Sequence, residues 1–564
     1  MCGLAGGITN DIAPFLKHAL ARLEYRGYDS WGCSVPEWDD FRLHHELGAP
    51  SASRFEIPSG HYGLGHTRWA THGQVSLRNT HPVYSRGWVA VCNGVVENYR
   101  DVLGGHPRAT DTDTEAIAFA VADEVGRTGV CRPILRVLRS AMGRLSGRYA
   151  FAAMESQVGR ILLATTGSPL VVAPEEKLFA SDVQALAGFA KKAYAVKPGY
   201  CLVMSEEGIE SLPDDDWRGN EIAVPEPDWT AASRDCPGPA KVRGEWMLRE
   251  MMEQPGLIRH FVPQGVWSIL DCHELCLYGV GSSLHAAMLG QRFLLAVDIN
   301  CSVAHALDGV DANFREDGRT YLAITQSGES KVVLDEMACN IGCDPEQHHA
   351  VLTNRPESSA ARLCGIDEVR FMGGGPERAV AATKSFTMTA MHLWGLTGDE
   401  YLTPENMSLL ADAAEIILRT EDVIQPTFIA GDGPEYALAL EGALKFKEVA
   451  YLHTEGVRLS DTQHGPLAML CPEDAVLVLA LDEPDMTRLE ELHARGIGLA
   501  VVCAEDLKEE FFFAQAIYVL PNLPWQARMI LTGILLQKLA YNAAMHLHTD
   551  DPDMPRHLAK SVTV

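Results

Sequence analysis

The spacing of apolar residues along the chain changes between its first third and the remainder. Apolar and glycine residues fill the opening segment Gly3–Ile8, and apolar residues then recur every three or four positions from Ile12 to Leu23. The first pattern predicts a buried strand, and the second predicts a helix with one buried face, for which Asn10-Asp11 offers a cap. Short apolar runs at 88–92, 149–154, 160–166 and 178–182 then indicate antiparallel sheet.

The last two thirds of the chain alternate buried strands with helical segments. Strands are predicted at 274–279, 320–324, 350–353 and 368–372, before a long helix from Ala382. A second round follows, with strands near 426–430, 475–481, 498–503 and 516–520. Such alternation is typical of parallel α/β sheets, and the two rounds indicate an internal duplication.

Prolines and acidic residues between positions 212 and 241 predict a domain boundary. The predicted organisation is an N-terminal domain at 2–215, a linker at 216–243, two α/β domains at 244–400 and 401–554, and a tail at 555–564. A chain of 564 residues is too long for one core, which agrees with several domains.

Charge and cysteine usage restrict the partners and the compartment. The formal net charge of −28 argues against nucleic acid and anionic membrane as partners. The 14 scattered cysteines fit reduced thiols in the cytoplasm. No signal peptide is recognisable, and the apolar segment 529–547 contains Gln537 and Lys538, so it is predicted to be a core helix.

The sequence predicts no metal and no organic cofactor. The pairs Cys272/Cys276 and Cys339/Cys343, the latter followed by His348-His349, have spacings that a metal could use. Neither pair has a matching second half. There is also no phosphate-binding loop of the Gly-x-x-x-x-Gly-Lys-Ser/Thr type.

Cys2 is the first candidate for catalysis, because removal of Met1 would place a thiol and a free α-amine on one residue. An α-amine titrates near ~8, so at neutral pH it can take the thiol proton without a histidine. Arg68 could bind a carboxylate through its planar fork. Asn93-Gly94 fits either a hairpin turn or a pair of donors for an oxyanion, and Asp113 fits either a helix cap or a ligand for an ammonium group.

Two loops between a strand and a helix resemble phosphate sites. The first is Gly279-Val280-Gly281-Ser282-Ser283, and the second is Thr325-Gln326-Ser327-Gly328-Glu329-Ser330. Backbone N–H groups at a helix N-terminus attract anions, and hydroxyl groups donate without adding charge. Either loop alone could be an ordinary turn with a serine cap, whereas the two together favour a shared anion site.

Lys445 and Glu448 are three residues apart on a predicted helix and therefore share a face. An exposed ion pair is the commoner role of such residues. A carboxylate beside a lysine could also act as a base in proton transfer.

The first third resembles the class II glutamine amidotransferases. The matching segments are Cys2-Gly3, Tyr25-Arg26-Gly27-Tyr28-Asp29-Ser30, 66–73, Asn93-Gly94-Val95-Val96-Glu97-Asn98 and Thr112-Asp113-Thr114-Glu115. The resemblance implies a four-layer αββα fold of the N-terminal-nucleophile hydrolase type, with Cys2 attacking the glutamine amide and Asn93 and Gly94 holding the oxyanion. It also implies a glutamine site formed by Arg68, Trp69, Thr71, His72, Asp113 and Arg26, in which Trp69 gates an ammonia channel.

The remainder resembles a tandem pair of sugar isomerase (SIS) domains. The matching segments are 281–283, 326–329, 382–387, 440–448, 464–467 and the tail 555–564. The resemblance implies that a sugar phosphate is bound by Ser282, Ser283, Thr325, Gln326, Ser327, Ser330, Val380 and Glu377. It further implies Glu448 as the proton-transfer base assisted by Lys445, His464 as the ring-opening group contributed across a homodimer, and Lys560 as the lysine that forms an imine.

The combined resemblance implies a cytoplasmic enzyme of amino sugar biosynthesis, on the route to UDP-N-acetylglucosamine. It would convert D-fructose 6-phosphate and L-glutamine into D-glucosamine 6-phosphate and L-glutamate, with internal transfer of ammonia. The chain departs from the family pattern at Ser282, at Gln463, where a basic residue is usual, and at Val564, where the family commonly has one further residue. These departures leave open a paralogue acting on another ketose phosphate, or a sugar-phosphate-binding regulator with a relic glutaminase.

Overall fold

The computed structural model describes residues 2–37, 40–128, 133–155, 158–213, 216–224, 243–264, 273–307, 319–355, 358–482 and 485–558. These residues form two compact units, the first ending at residue 224 and the second spanning residues 243–558.

Two antiparallel sheets form the centre of the first unit. The strands are β1 (Gly3–Ile8), β2 (Ser30–Glu37), β3 (Asp40–Leu47), β4 (Tyr62–Arg68), β5 (Val83–Ser85), β6 (Trp88–Gly94), β7 (Tyr149–Glu155), β8 (Ile161–Thr165), β9 (Val171–Ala173), β10 (Leu178–Ala180), β11 (Lys192–Val196), β12 (Cys201–Ser205), β13 (Gly208–Leu212) and β14 (Arg218–Ala223). One sheet has the order β14-β11-β9-β10-β1-β4-β2-β3, and the other has the order β13-β12-β8-β7-β6-β5.

Helices cover the outer face of each sheet. They are α1 (Ala13–Leu23), α2 (Tyr99–Leu103), α3 (Glu115–Thr128) and α4 (Ile134–Met142). Apolar residues of α1 pack on the first sheet, those of α3 and α4 pack on the second, and a third core fills the space between the sheets. The unit therefore has the layer order helix, sheet, sheet, helix.

Every residue of the strand β1, Gly3–Ile8, is buried, as the opening apolar run predicts. This burial suits the central position of β1 in its sheet. The Asp11 carboxylate accepts the N–H of Ala13 at 3.2 Å, which supports the start of α1. The edge strand β14 pairs with β11, so the sheet continues beyond the boundary predicted at residue 215.

Two parallel sheets of five strands organise the second unit. The strands are β15 (Glu274–Gly279), β16 (Cys301–His305), β17 (Arg319–Thr325), β18 (His348–Thr353), β19 (Glu368–Phe371), β20 (Phe428–Ala430), β21 (Glu455–Val457), β22 (Ala475–Ala480), β23 (Gly498–Ala504) and β24 (Ala516–Leu520). Their orders are β16-β15-β17-β18-β19 and β21-β20-β22-β23-β24, which are the same topology. The predicted duplication is therefore confirmed at the level of strand order.

The helices of the second unit are α5 (Glu245–Arg259), α6 (Ser282–Leu295), α7 (Lys331–Cys343), α8 (Lys384–Gly395), α9 (Pro404–Ile417), α10 (Glu435–Lys445), α11 (Met486–Ala494) and α12 (Trp525–His546). A π-helical turn at Phe446–Ala450 continues directly from α10. One large core joins residues from both sheets with the long helices.

The helix α12 is buried along most of its 22 residues, including Gln537 and Lys538. This confirms the prediction of a core helix. Among the residues that the structure describes, no helix is long and apolar enough to cross a membrane.

Candidate functional site

Cys2 lies at the start of β1 and contacts residues from separate parts of the first unit. Its backbone N–H donates to Asn93 Oδ1 at 3.2 Å, and its Sγ accepts the N–H of Trp69 at 3.4 Å. The Arg26 Nε–H donates to the Cys2 carbonyl at 3.3 Å. Cys2 is therefore held by contacts from three different segments, of which the one containing Trp69 contacts the thiol itself.

Burial is the largest influence on the Cys2 thiol and raises its pKa above the ordinary value. The positive chain terminus, the N–H of Trp69 and the Arg68 guanidinium act in the opposite direction but do not outweigh burial. In the chain that retains Met1, the thiol is therefore protonated at neutral pH. A thiolate requires a base, and the α-amine freed by removal of Met1 could act as that base.

Asn93 and Gly94 are the last residues of β6, and both pair with residues of β7. The hairpin interpretation is therefore wrong. The Asn93 side chain is buried, and its Nδ2 has no hydrogen-bond partner among the described residues. A buried donor without a partner lowers the stability of the folded protein. This favours the interpretation that Asn93 Nδ2 donates to an oxyanion during the reaction.

Gly94 is required at the end of β6, next to Asn93. Its φ is +122°, and a Cβ at this position would lie 2.2 Å from the Arg148 carbonyl oxygen. No other residue fits this backbone without displacing β7. The backbone conformation next to Asn93 therefore depends on a glycine at position 94, just as the amide group depends on an asparagine at position 93.

The Arg68 guanidinium is buried and already donates to three carbonyl groups of the loop that follows β4. These belong to His72 at 2.6 Å, Gly73 at 3.0 Å and Gln74 at 3.4 Å. Within this loop, His72 Nδ1 lies 3.3 Å from Thr71 Oγ1, and the Thr71 side chain is exposed. Arg68 thus organises the loop, and its binding of a carboxylate stays a prediction.

The Asp113 carboxylate is buried and accepts the N–H of Val96 at 2.7 Å. Burial raises the pKa of Asp113 above its ordinary value, although the Val96 N–H and His72 act against this. A buried carboxylate with a raised pKa gains from a cationic partner. This environment suits the ammonium-binding interpretation, whereas α3 begins two residues later, at Glu115.

Two acidic residues that sequence reasoning missed hold the Cys2 surroundings in place. Asp182 Oδ2 lies 3.2 Å from Arg26 Nη1, with both side chains buried, and also accepts from the Tyr25 hydroxyl. Asp29 Oδ2 accepts the N–H of Ala70 at 2.8 Å. No spacing pattern links these residues to Cys2, so their roles emerge only from the folded contacts.

Gly27 allows the close approach of two segments that carry site residues. A Cβ at Gly27 would lie 2.6 Å from the backbone nitrogen of Trp69. The Tyr28 ring meets the Trp69 ring edge-on, with centroids 5.6 Å apart. The segment containing Arg26 therefore packs directly beside the backbone that contacts Cys2.

In the second unit, the two predicted anion loops follow the neighbouring strands β15 and β17. The carboxyl ends of adjacent parallel strands meet at one edge of a sheet, where ligands of α/β proteins usually bind. Ser282 and Ser283 lie in the first turn of α6, and Ser330 directly precedes α7, without a capping hydrogen bond from its side chain. The topology therefore brings both loops together, as a shared site requires.

The loop after β17 is held by its own side chains. Thr325 Oγ1 accepts the N–H of Gly328 at 3.2 Å, and Ser327 Oγ accepts the N–H of Glu329 at 3.1 Å. The buried Glu329 carboxylate accepts the N–H and the hydroxyl of Ser359, each at 2.8 Å. Gln326 is only partly buried, so its side chain remains accessible at this edge.

Lys445 and Glu448 form a partly buried pair, in which the lysine is buried, and not the exposed pair that is commoner at this spacing. Lys445 Nζ lies 2.5 Å from Glu448 Oε2 and 3.4 Å from Glu441 Oε1, and the Lys445 side chain is fully buried. Burial would lower the pKa of Lys445, but the two carboxylates outweigh it and raise this pKa well above its ordinary value. The ammonium is therefore charged, and it carries a proton next to Glu448.

The π-helical turn places Glu448 at a widened point of the backbone. Its side chain is 18 % exposed, so it is accessible where Lys445 is not. Single π turns are frequent at functional sites because they change the direction in which side chains project. Glu448 is therefore an accessible carboxylate that forms an ion pair with a buried ammonium group.

Glu377 and Val380 lie just before α8, and the Glu377 carboxylate is occupied by that helix. Its Oε1 accepts the N–H of Thr383 at 2.9 Å and of Ser385 at 3.1 Å, and its Oε2 accepts the Ser385 hydroxyl at 2.7 Å. The Val380 N–H donates to the Asp553 carbonyl at 2.9 Å. These contacts position the segment, while contact of either residue with a sugar stays a prediction.

The remaining predicted residues are described only in part. His464 is exposed and ends a 3₁₀ turn, next to Gln463, whose amide donates to Glu491. Lys560 lies outside the described residues. Within the ranges that the structure describes, no group of three or more His, Cys, Asp or Glu side chains could hold a metal.

A cavity of about 730 Å³ in the second unit lies between α5, the loop after β19 and α8. Its walls are largely apolar, and Lys384 at its edge forms an ion pair with Glu253. None of the residues predicted for either reaction lines it. Its volume alone therefore does not assign it to the candidate sites.

Comparison with known proteins finds one domain family within the second unit and relatives along the whole chain. The SIS domain model matches residues 426–509. A glutamine–fructose-6-phosphate aminotransferase (isomerising) from Pyrococcus horikoshii is 30% identical over the whole of both chains, and one from Neisseria meningitidis serogroup B is 29% identical over the same span. The C-terminal domain of glucosamine-fructose-6-phosphate aminotransferase from Francisella tularensis matches with 24% identity and a TM-score of 0.46, covering 54% of this chain and 97% of that domain.

The layered first unit, the repeated parallel sheets and the SIS match define a multidomain α/β protein that contains a SIS domain. The relatives extend this to the whole chain. The protein belongs to the family of isomerising glutamine–fructose-6-phosphate aminotransferases.

Proposed function

We propose that the chain converts D-fructose 6-phosphate and L-glutamine into D-glucosamine 6-phosphate and L-glutamate, with ammonia transferred internally. The observation that carries this proposal is the match to relatives of that name along the entire chain, so that both half-reactions are accounted for. The first unit would adopt the role of an N-terminal-nucleophile hydrolase, and the second would act on the sugar.

The glutaminase half-reaction would begin at Cys2 after removal of Met1. The thiol proton passes to the α-amine, a bond forms between Sγ and the amide carbon of glutamine, and the carbonyl oxygen becomes an oxyanion. Asn93 Nδ2, which has no partner among the described residues, and the Gly94 N–H would donate to that oxyanion. Collapse breaks the carbon–nitrogen bond, and the α-ammonium returns the proton to the departing ammonia.

Water would then cleave the thioester and release glutamate. The glutamine backbone would be held by Arg68 at its carboxylate and by Asp113 at its ammonium group, which is supported by the burial of both side chains. The loop that Arg68 organises would close the site through Thr71 and His72. Trp69, whose backbone contacts the thiol, is proposed to gate the passage of ammonia.

The sugar half-reaction needs an open-chain ketose, an imine at C2 and transfer of a proton from C1 to C2. His464 would open the ring, and Lys560 would form the first imine, which ammonia then displaces. Glu448 would take the proton from C1 and return it to C2, which is supported by its accessible position against the buried Lys445 ammonium. The phosphate group would be bound by the two loops, through Ser283, Thr325, Gln326, Ser327 and Ser330.

We further propose a homodimer in the cytoplasm. In the family resemblance the ring-opening histidine reaches the site from the partner subunit, and the exposed position of His464 on this chain suits such a role. A reducing compartment is supported by the cysteines that the structure describes, which are free thiols.

The decisive experiment supplies the purified protein with glutamine and a panel of ketose phosphates and identifies the amino sugar by mass spectrometry. We expect glucosamine 6-phosphate from fructose 6-phosphate, in amounts equal to the glutamate formed. A faster reaction with a different ketose phosphate would contradict the assigned substrate. Binding of sugar phosphate without any amino sugar product would contradict the assigned enzyme activity.

A further inference from the structure

His285 lies in the first turn of α6 and contacts a buried carboxylate of α10. Its Nδ1 lies 2.8 Å from Glu441 Oε2, and the two side chains are 15 % and 1 % exposed. The two residues are 156 positions apart and come from the two different sheet repeats of the second unit. The sequence pattern assigns a role to neither side chain.

The Glu441 carboxylate is ionised in this environment. Burial would raise the pKa of Glu441, but the Lys445 ammonium, followed by the His285 and Ser282 donors, outweighs it and lowers this pKa below its ordinary value. An ionised carboxylate only accepts hydrogen bonds, so His285 Nδ1 carries the hydrogen and donates. The bond from His285 is therefore a charge-assisted one.

Each oxygen of Glu441 has a separate set of contacts. Oε2 accepts from His285, whereas Oε1 accepts the Ser282 hydroxyl at 2.9 Å and lies 3.4 Å from Lys445 Nζ. Lys445 in turn lies 2.5 Å from Glu448. A continuous series of polar contacts thus runs from the start of α6 to the carboxylate proposed as the base.

We propose that His285 is a positioning residue for the isomerisation step. By donating to Oε2 of Glu441, His285 fixes the plane of that carboxylate and keeps Oε1 at its observed distance from Lys445. At this distance, the Lys445 ammonium stays in contact with Glu448. Without this donor, the Glu441 carboxylate rotates and competes for the Lys445 ammonium, which then leaves Glu448. The proposal deepens and rests on the proposed function, in which Glu448 transfers the proton.

The test compares His285→Leu, which removes the donor, with His285→Asn, which keeps an N–H donor close to the position of Nδ1. We expect His285→Leu to lower kcat for glucosamine 6-phosphate formation at least about tenfold, the effect of losing one hydrogen bond to a charged group. KM for fructose 6-phosphate should stay within about twofold of wild type, because phosphate binding uses other residues. His285→Asn should restore most of kcat.

Gln291→Leu is the matched control on the same helix. Gln291 donates to the Cys301 carbonyl at 2.8 Å, so this variant also loses one hydrogen bond from α6 but none to Glu441. Its kcat should remain near the wild-type value. Glutamine hydrolysis without sugar should be unchanged in all variants, since Cys2 and its surroundings lie in the other unit.

Three results would overturn the positioning role. They are a wild-type kcat in His285→Leu, a raised KM with unchanged kcat, and a His285→Asn variant as slow as His285→Leu. Should His285→Leu fail to fold, His285→Gln decides the question, because its longer side chain moves the donor away from Glu441 and should leave it slower than His285→Asn. A wild-type enzyme without activity on fructose 6-phosphate would refute both the proposed function and the positioning role. An active wild type with an unaffected His285→Leu variant would refute the positioning role alone.

Discussion

Replacement of Asn93 by alanine separates the oxyanion interpretation from a purely structural one. The Asn93 side chain is buried, its Oδ1 accepts the Cys2 N–H at 3.2 Å, and its Nδ2 has no partner among the described residues. The unbonded Nδ2 costs the resting protein about 1–3 kcal/mol, and the unbonded Cys2 nitrogen of the variant would cost a similar amount. These two contributions oppose each other, so we expect the free energy of unfolding to change by no more than about 1 kcal/mol.

Catalysis should respond much more strongly than stability. Removal of one oxyanion donor typically lowers kcat about 10²–10³-fold, which corresponds to roughly 2.7–4 kcal/mol in the transition state. The assay is glutamate release from glutamine, followed with thermal unfolding of the same samples. KM for glutamine should change little, because Nδ2 is needed only when the oxyanion forms.

Two further variants sharpen this test. Asn93→Asp keeps an acceptor for the Cys2 nitrogen but replaces the donor by an oxygen, so it should be at least as slow as Asn93→Ala. Asn98 lies on the same stretch, but its amide is already bonded to the Arg144 carbonyl at 2.9 Å and to the Ser146 N–H at 2.9 Å. Asn98→Ala should therefore lose stability with little change in kcat. A less than about threefold loss of kcat in Asn93→Ala would refute the oxyanion role.

Four other predictions concern the nucleophile, its base, the imine-forming lysine and a buried carboxylate. Cys2→Ala should abolish glutamine-dependent amino sugar formation while fructose 6-phosphate still binds in calorimetry, and persisting product would remove Cys2 as the nucleophile. An N-terminal extension that retains Met1 should inactivate glutamine hydrolysis. Burial raises the pKa of the Cys2 thiol, and in this form Cys2 has no α-amine to take the thiol proton. Full activity in that form would contradict the role of the amine as the base. Lys560→Ala should prevent borohydride trapping of the sugar imine, and undiminished trapping would indicate another lysine. Burial raises the pKa of Glu435 to about 7, so above pH 4.5 the folded state keeps a proton that the unfolded state releases, and the free energy of unfolding should fall as pH rises from 4.5 to 7. Glu435→Gln should therefore raise the melting temperature more at pH 8 than at pH 5. An equal effect at both pH values would contradict this.

The regular elements were largely predictable because their hydrophobic patterns are local. The opening strand, α1, the core helix α12 and most strands of the parallel sheets follow directly from apolar spacing. The short edge strands β16 and β21 and the outer strand β14 were missed, since edge strands alternate weakly and depend on their neighbours. Interior strands of the first unit were missed as well, among them β2 and β4, because glycine and polar residues interrupt their apolar patterns. Asn93-Gly94 misled the local interpretation, because its conformation is set by pairing with β7 and not by a turn.

The candidate sites were predictable only where a motif carried them. Cys2 and Asn93 lie 91 positions apart and belong to different sheets, so no spacing rule brings them together. His285 and Glu441 meet because two helices of different repeats pack against each other, which also leaves no local signal. Lys445 and Glu448 were found by their spacing. The burial of Lys445 beside the accessible Glu448, which distinguishes the pair from an ordinary surface ion pair, required the fold.

In the proposed function, nitrogen released at Cys2 reaches the sugar without leaving the protein. The most direct measurement supplies glutamine labelled with ¹⁵N in its side-chain amide, together with fructose 6-phosphate and an excess of unlabelled ammonium. We expect glucosamine 6-phosphate that carries the label in nearly every molecule, equal in amount to the glutamate formed. Product that contains mostly unlabelled nitrogen, or glutamate without any amino sugar, would contradict it.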